Sequence, residues 1–271
     1  MIHEKIDISI PGYDEIGQLY TYIIDNSIHM RINQKRPIIL ICPGGGYCMT
    51  SDREAEPVAI QYLSRGYHAA ILRYSVNPAE YPVALLQLAA SVKYLKENAE
   101  KYHIDKNKII LQGFSAGGHL AGCLGVLWNS TELKNAFRIA TDELKPRAMI
   151  LSYPVITSGE FAHKDSFVNL LGKRYEKLKE ELSLEKRVNQ DTVPTFLWHT
   201  TDDELVPVEN SLLLFEALKR AGVPVELHIY QHGRHGLSLA NYETSEENGN
   251  MIQKECQSWI ELVFTWLKQF E

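Results

Sequence analysis

The chain has 271 residues, 45 % of them apolar and 23 % charged, with a formal net charge of −6 and a pI near 6.0. That length suits one large domain or two small ones, one large α/β domain with a sizeable core being common at this size, and the acidic balance argues against a nucleic-acid partner, because phosphate binding draws on clustered Lys and Arg. No apolar run reaches the ~18 residues needed to cross a bilayer, the opening Met1-Ile2-His3-Glu4-Lys5-Ile6-Asp7 lacks the apolar core of a signal peptide, and Cys42, Cys48, Cys123 and Cys256 form no CxxC pair, so the expectation is a cytoplasmic protein with reduced thiols.

Two strand candidates come first, Lys5–Ile10 and Leu19–Ile24, with no helix between them. Pro37–Cys42 follows. Its run Ile38-Ile39-Leu40-Ile41-Cys42 is continuously apolar, the mark of a strand buried on both faces. Ser51-Asp52-Arg53-Glu54 reads as a capping box that opens a helix over Glu56–Leu63. His68–Tyr74 is the next strand. Leu85, Leu88, Ala89, Val92, Leu95 and Ala99 then recur at helical spacing on one face. Strand Lys108–Gln112 leads into a helical run from His119 to Leu127, and strands Arg147–Ser152, Thr195–His199 and Val225–Gln231 follow. Ile252, Cys256, Trp259, Ile260, Val263 and Leu267 predict a final amphipathic helix. From residue 37 onward strands and helices alternate, which calls for a three-layer α/β fold: a mostly parallel central sheet with helices on both faces.

Residues 153–192 break that rhythm. Within them Lys173–Arg187 holds ten charged residues, six basic and four acidic, and reads as a solvated helix. An insertion at this place can form a short cap over the carboxyl ends of the strands.

Gly113-Phe114-Ser115-Ala116-Gly117-Gly118-His119 carries the strongest chemical signal. It contains Gly-x-Ser-x-Gly between a strand and a helix, the context of a nucleophilic serine on a tight, strained turn. Serine needs a base, and the base needs an orienting acid. In that scaffold they follow in the order Ser, acid, His. Asp202, Asp203 and Glu204 lie just past the Thr195–His199 strand, and the residues alone leave all three open as the acid. His232 and His235 compete as base in the Gly-rich loop after the last strand, with His235 further into the loop. His119 and His199 read as structural histidines that satisfy local backbone groups. A zinc site at His228, His232 and His235 lacks a spaced carboxylate or Cys to complete it. Pro43-Gly44-Gly45-Gly46-Tyr47 follows a buried strand and can aim backbone amides at a developing oxyanion. A phosphate loop is excluded there because no Gly-Lys-Ser/Thr follows.

These residues resemble the α/β-hydrolase superfamily, and more narrowly its esterase/lipase branch of acetyl-xylan and feruloyl esterase-like enzymes that deacylate decorated sugars. The likeness runs from Pro43 through Ser51–Ala59, Leu72-Arg73-Tyr74-Ser75 and Gly113–Ala121 to Gly236. It implies Ser115 as nucleophile, Asp203 as acid, three residues before Val206-Pro207, and His235 as base. It maps the oxyanion amides to Gly45, Gly46 and Ala116. Pro43 stands where the lipase pattern carries His, so a stiffened φ replaces a hydrogen-bonding anchor.

The resemblance implies a single-domain serine carboxylesterase over residues 1–271, acting on short-acyl esters of sugars or xylo-oligosaccharides without metal or organic cofactor. The short cap suits small acyl groups on polar alcohols, with Tyr47 and Asn169 as candidates for binding sugar hydroxyls. The expected partner is a small-molecule ester, with neither nucleic acid nor membrane; a homo-oligomer is compatible with the sequence. Two alternatives stand beside this reading. A prolyl-oligopeptidase-type peptidase would need a large sieving domain, for which the chain has no room. A non-catalytic binding protein of the same fold would normally lack a triad member. A glycosidase would need a placed carboxylate pair, which no motif singles out.

Overall fold

β1 (Ile2–Ser9) and β2 (Ile16–Ile23) form an antiparallel pair, and β2 runs antiparallel to the strand it meets next in the sheet. The computed structural model describes residues 1–138 and 141–270. The sheet continues with β3 (Arg36–Cys42), β4 (His68–Arg73), β5 (Ile104–Phe114), β6 (Ala148–Ser152), β7 (Thr195–Thr200) and β8 (Val225–Tyr230). Its order is β1-β2-β4-β3-β5-β6-β7-β8, and the strands from β3 onward are mutually parallel. Each strand candidate read from the sequence therefore has its counterpart.

The continuous apolar runs are explained by burial on both faces. Along β3, Ile38, Leu40 and Cys42 enter one core while Ile39 and Ile41 enter the other. The helices are α1 (Glu56–Ser64), α2 (Val83–Glu97), α3 (Ser115–Leu127), α4 (Thr131–Phe137), α5 (Lys164–Leu171), α6 (Tyr175–Leu178), α7 (Glu209–Arg220) and α8 (Trp259–Leu267). The apolar faces of α2, α3 and α7 fill the first core, through residues such as Leu88, Leu124 and Leu214. Those of α1 and α8 fill the second, through Val58, Tyr62, Trp259 and Val263. Trp259 stacks on Trp198 of β7 with ring centroids 5.3 Å apart, which fixes α8 on the sheet.

α3 is buried along its whole length. Residues of the β6–β7 connection cover it: Phe167, Leu170 and Leu171 of α5, then Leu182 and Leu184. This connection differs from its expectation. Lys173–Arg187 is not one helix but a 3-10 turn at Gly172–Arg174, the single turn α6, and a 3-10 turn at Leu184–Lys186. The cause is anchorage. Leu184 donates its amide to the Ile156 carbonyl at 3.0 Å, and the buried Ser183 hydroxyl accepts from the Ser158 amide at 2.9 Å. A straight solvated helix cannot reach both.

Two other elements depart from the sequence reading. Ser51 makes no capping bond; Asp52–Glu54 is a 3-10 turn and α1 starts at Glu56. Glu54 points inward instead, where other donors claim its carboxylate. The last helix starts at Trp259 after a 3-10 segment Lys254–Ser258, leaving Ile252 outside it and 39 % exposed.

The first turn of α3 crosses the end of β3 closely. A Cβ on Gly117 would stand 2.1 Å from the Cys42 carbonyl oxygen and 2.4 Å from that of Pro43. Both obstacles are backbone, so neither can swing aside. Gly117→Ala is expected to destabilise the fold by about 3 kcal/mol, against about 1 kcal/mol for Gly12→Ala, where no atom lies within 4 Å of the new methyl. Urea unfolding of the two variants checks the difference.

Candidate active site

β5 ends at Phe114 and α3 begins at Ser115, with no residue between. Ser115 turns the chain with φ 51°, in the left-handed region that non-glycine residues seldom occupy. That turn presents its side chain at the carboxyl ends of the strands, beside the amides of the α3 N-terminus. Ser115 Oγ lies 2.7 Å from His235 Nε2, and His235 Nδ1 lies 2.7 Å from Asp203 Oδ2. A carboxylate can only accept, so Nδ1–H donates to Asp203 and Nε2 accepts from the serine hydroxyl. Ser115 and Asp203 are buried at 6 % and 5 % exposure.

The residues alone left three adjacent acids and two histidines open, the resemblance named Asp203 and His235, and tertiary contacts give the candidates different surroundings. Asp203 Oδ1 accepts the amides of Leu205 and Val206 at 3.0 and 2.9 Å. Its Oδ2 accepts from His235 and, at 3.2 Å, from His199 Nε2. Burial alone would push the Asp203 carboxyl up, but the hydrogen bonds from His199 and His235 outweigh it and hold the group well below the usual carboxylate range. Asp202 instead pairs with His232 at 2.7 Å, both side chains more than half exposed. His199 is a structural histidine with a function: it accepts from Ser211 Oγ and turns Nε2–H toward Asp203 and the Val206 carbonyl.

The loop after β3 brings its glycines against this chain of bonds. Gly44 donates its amide to Glu54 Oε2 at 2.7 Å. The amides of Gly45, Gly46 and Ala116 have no acceptor among the described residues. Gly45 takes φ 134°, a conformation closed to other residues in practice.

Tyr47 and Asn169, the candidate sugar contacts, are otherwise engaged. Tyr47 is 2 % exposed, and its hydroxyl donates to His119 Nδ1 at 2.8 Å. His119 passes its Nε2–H to the Leu182 carbonyl at 2.9 Å, and burial pushes its pKa down to about 4. The apolar ring of Tyr47 outweighs its hydroxyl once an internal acceptor is in place, so it packs inward, edge-on to Tyr74 and His119. Asn169 Nδ2 donates to the Gly46 carbonyl at 2.8 Å and its Oδ1 accepts from Asn77 at 3.1 Å. It ties the β6–β7 connection to the glycine loop and remains partly exposed.

Several residues near the site carried no signal of their own. Tyr153, just past β6, sets its ring edge-on to His235 with centroids 5.1 Å apart. Glu54 and Arg53 were hidden in what read as a capping box. His163, from the β6–β7 connection, hydrogen-bonds Ser166 Oγ at 2.8 Å. Burial and then the neighbouring His235 push its pKa down. A groove of about 810 Å³ opens beside His235, with Leu205, Leu237, Met251 and Ile252 as apolar lining and Asp202, Glu204, His232 and Arg234 as polar lining.

A sheet of this order, with a serine elbow after its central strand and a Ser–His–Asp hydrogen-bond chain across its carboxyl ends, defines an α/β hydrolase. A family model described as BD-FAE matches residues 25–218. The chain is 38 % identical over 239 residues to an endo-1,4-beta-xylanase B of Butyrivibrio fibrisolvens, covering 86 % of this chain and 36 % of that protein. It is 29 % identical over 207 residues to an acetylxylan esterase of Xylanibacter ruminicola, covering 74 % and 41 %. The chain thus spans well under two thirds of these curated relatives. Among solved structures, an acetyl ester-xyloside bifunctional hydrolase from Caldicellulosiruptor lactoaceticus superposes with a TM-score of 0.84 at 37 % identity, covering 98 % of this chain and 96 % of that one. A carboxylesterase from Lactobacillus plantarum gives 0.88 at 29 % identity, covering 99 % and 98 %. The chain belongs to the BD-FAE family and has the α/β-hydrolase fold. No helix among the described residues is long and apolar enough to cross a membrane.

Tyr47→Phe leaves the buried Nδ1 of His119 only the weak Cys123 thiol at 3.7 Å and is expected to cost about 1–2 kcal/mol of unfolding free energy. The KM for a soluble ester should stay within about twofold, since the hydroxyl is buried on His119. Urea unfolding and steady-state kinetics on one preparation check both.

Proposed function

We propose that this chain is a serine carboxylesterase that deacylates short-acyl esters of sugars, acetylated xylo-oligosaccharides above all. The observation that carries the reading is the unbroken hydrogen-bond chain from Ser115 through His235 to Asp203. Residues so far apart in sequence meet at 2.7 Å in the order that acyl transfer requires.

In this mechanism Ser115 Oγ attacks the ester carbonyl carbon while His235 Nε2 takes its proton. Asp203 holds the imidazole in the tautomer with Nδ1 protonated and stabilises the imidazolium that forms. The carbonyl oxygen becomes an alkoxide, and the amides of Ala116 with Gly45 or Gly46 stabilise it. The tetrahedral intermediate collapses. The C–O bond to the alcohol breaks, and His235 returns the proton to the leaving oxygen. Water, deprotonated by His235, then attacks the acyl-Ser115 ester and releases the acid and the free serine.

The groove beside His235 is lined by both apolar and polar side chains, a mixture that suits a pyranose, whose ring faces are apolar and whose edges carry hydroxyls. The relatives named as an acetylxylan esterase and an acetyl ester-xyloside hydrolase support the sugar. Residues 153–192 act as the short cap of a single domain in this reading. Long acyl chains gain little here, because they need a continuous apolar trough to repay the ordering of their rotors.

Ser115→Ala should abolish ester hydrolysis with the fold intact, and a fluorophosphonate should label the wild type at Ser115 alone. Asp203→Asn should lower kcat about 10³–10⁴-fold, while Asp202→Asn stays within about threefold of wild type. Acetate release from acetylated xylo-oligosaccharides, run beside acetyl to octanoyl aryl esters, tests the substrate. Octanoyl esters outrunning acetyl esters, with no acetate released from the sugar, would overturn the sugar-ester reading.

Asp203 is held ionised well below the usual carboxylate range. As pH falls it keeps its charge while the general base takes up a proton. Asp203 should therefore add no limb of its own to the acid side of log kcat/KM above pH ~3. A carboxylate limb in the wild type that disappears in Asp203→Asn would contradict the assignment.

A further inference from the structure

Glu54 is the most deeply buried carboxylate outside the Ser–His–Asp chain, at 4 % exposure. The ester-hydrolysis mechanism above gives it no part. Both its oxygens are used. Oε2 accepts the Gly44 amide at 2.7 Å, and Oε1 accepts the Tyr153 hydroxyl at 2.7 Å. The Tyr153 oxygen in turn accepts the amide of Ser238, three residues after His235, at 2.9 Å. The Tyr153 ring rests edge-on against His235 itself.

The next residue back completes a bracket. Arg53 Nη2 donates to the Gly236 carbonyl at 2.9 Å, and Nε to the Thr244 carbonyl at 2.8 Å. Ser238 Oγ donates back to the Arg53 carbonyl at 2.5 Å. Residues 53 and 54 therefore hold two loops at once: the glycine loop that offers the oxyanion amides, and the loop that carries His235.

Resting on the ester-hydrolase reading, we propose that Glu54 is a positioning residue, whose carboxylate couples the oxyanion loop to the histidine loop and sets both against Ser115. Gly44 is where the coupling acts. Its Cα is so close that a Cβ there would meet Glu54 Oε2 at 2.8 Å and Ser115 Cβ at 2.9 Å. Holding the Gly44 amide on Glu54 anchors the start of the loop from which the Gly45 and Gly46 amides project. Oxyanion stabilisation depends steeply on such aim, because its donors act without reorganising.

The residue type follows from the donors. A backbone N–H and a phenol O–H, whose oxygen already accepts from Ser238, both need an acceptor. A carboxylate offers two, whereas a Gln side chain offers one acceptor and a donor in the wrong place. Burial pushes the Glu54 pKa up, the cost of placing a charge there, and the bonds from Tyr153 and Gly44 offset this only in part, so it stays above the usual carboxylate value. The charged and titratable groups facing Glu54 are Tyr153, Tyr74, Arg53 and His235. Those facing His235 are Asp203, Glu54 and His163, with the Tyr153 ring. Glu54 thus adds a second anion, behind Tyr153, to the field in which the imidazolium forms.

The test uses Glu54→Gln, Tyr153→Phe and the double variant of the full chain, assayed on a soluble acetyl ester with folding followed by circular dichroism. Glu54→Gln should lower kcat about 10–100-fold with KM within about threefold. Tyr153→Phe should lower kcat about tenfold, and the double variant should be no slower than Glu54→Gln, because both changes cut one link. The acid limb of kcat/KM should move to lower pH in Glu54→Gln, where an anion near the imidazolium is gone, and stay in place in Tyr153→Phe. The inference is overturned if both single variants fold and keep kcat within threefold, or if the loss falls on KM. If Glu54→Gln does not fold, Tyr153→Phe decides by the same kcat measurement. Failure of the underlying reading looks different: the wild type would not hydrolyse acetyl esters, or Ser115→Ala would remain active.

Discussion

The close crossing of the first turn of α3 over the end of β3 sets the distance on which the site depends. Gly117 lies against the Cys42 and Pro43 carbonyls with no room for a methyl group. That contact brings the serine turn and the glycine loop, which belong to different strands, into one cluster of backbone amides. The parallel pairing of β3 with β5, from Ile38–Ile109 to Cys42–Gly113, supplies the rigid frame beneath them. The strained φ of Ser115 is held because helix and strand on either side are fully packed.

Around that crossing the protein buries charge and satisfies it. Asp203 takes four donors from three directions: two amides of its own turn, His235, and His199. Glu54 takes two, from two other loops. Each buried carboxylate carries a desolvation penalty that only full hydrogen bonding offsets. The same bonds fix loop positions that apolar packing would leave free, since apolar contacts are not directional. Polar burial here serves geometry at some cost in stability. The exposed Asp202–His232 pair bears none of that penalty and orients neither the serine nor the glycine loop.

The β6–β7 connection shows how tertiary anchorage overrides composition. Lys173–Arg187 has the charge density of a solvated helix. Its few apolar residues, Leu178, Leu182 and Leu184, pack on the core that encloses α3, and the Leu184 amide is tied to Ile156. The segment breaks into short turns to satisfy those points while its charges stay outside. Covering α3 in this way leaves Tyr47 and His119 inside, where they bond each other rather than a ligand.

The sequence by itself determined the alternation of strands and helices, the burial of the central strands on both faces, and the serine turn with its glycines. These are local properties: period, apolar runs and steric freedom are written into neighbouring residues. It also held the order Ser, acid, His, but on the residues alone not the choice among Asp202, Asp203 and Glu204, which needed the Val206-Pro207 pattern of the resembling family. The structure gives that spacing a physical sense, since Asp203 Oδ1 accepts the amides of Leu205 and Val206. Only the tertiary structure decided the rest. Tyr47 faces inward because His119 and Tyr74, far along the chain, complete its pocket. Glu54 leaves a local cap because Gly44 and Tyr153 offer donors in a buried place. A side chain able to bond locally or at long range follows the partner that would otherwise be buried unpaired, and that partner is set by the fold.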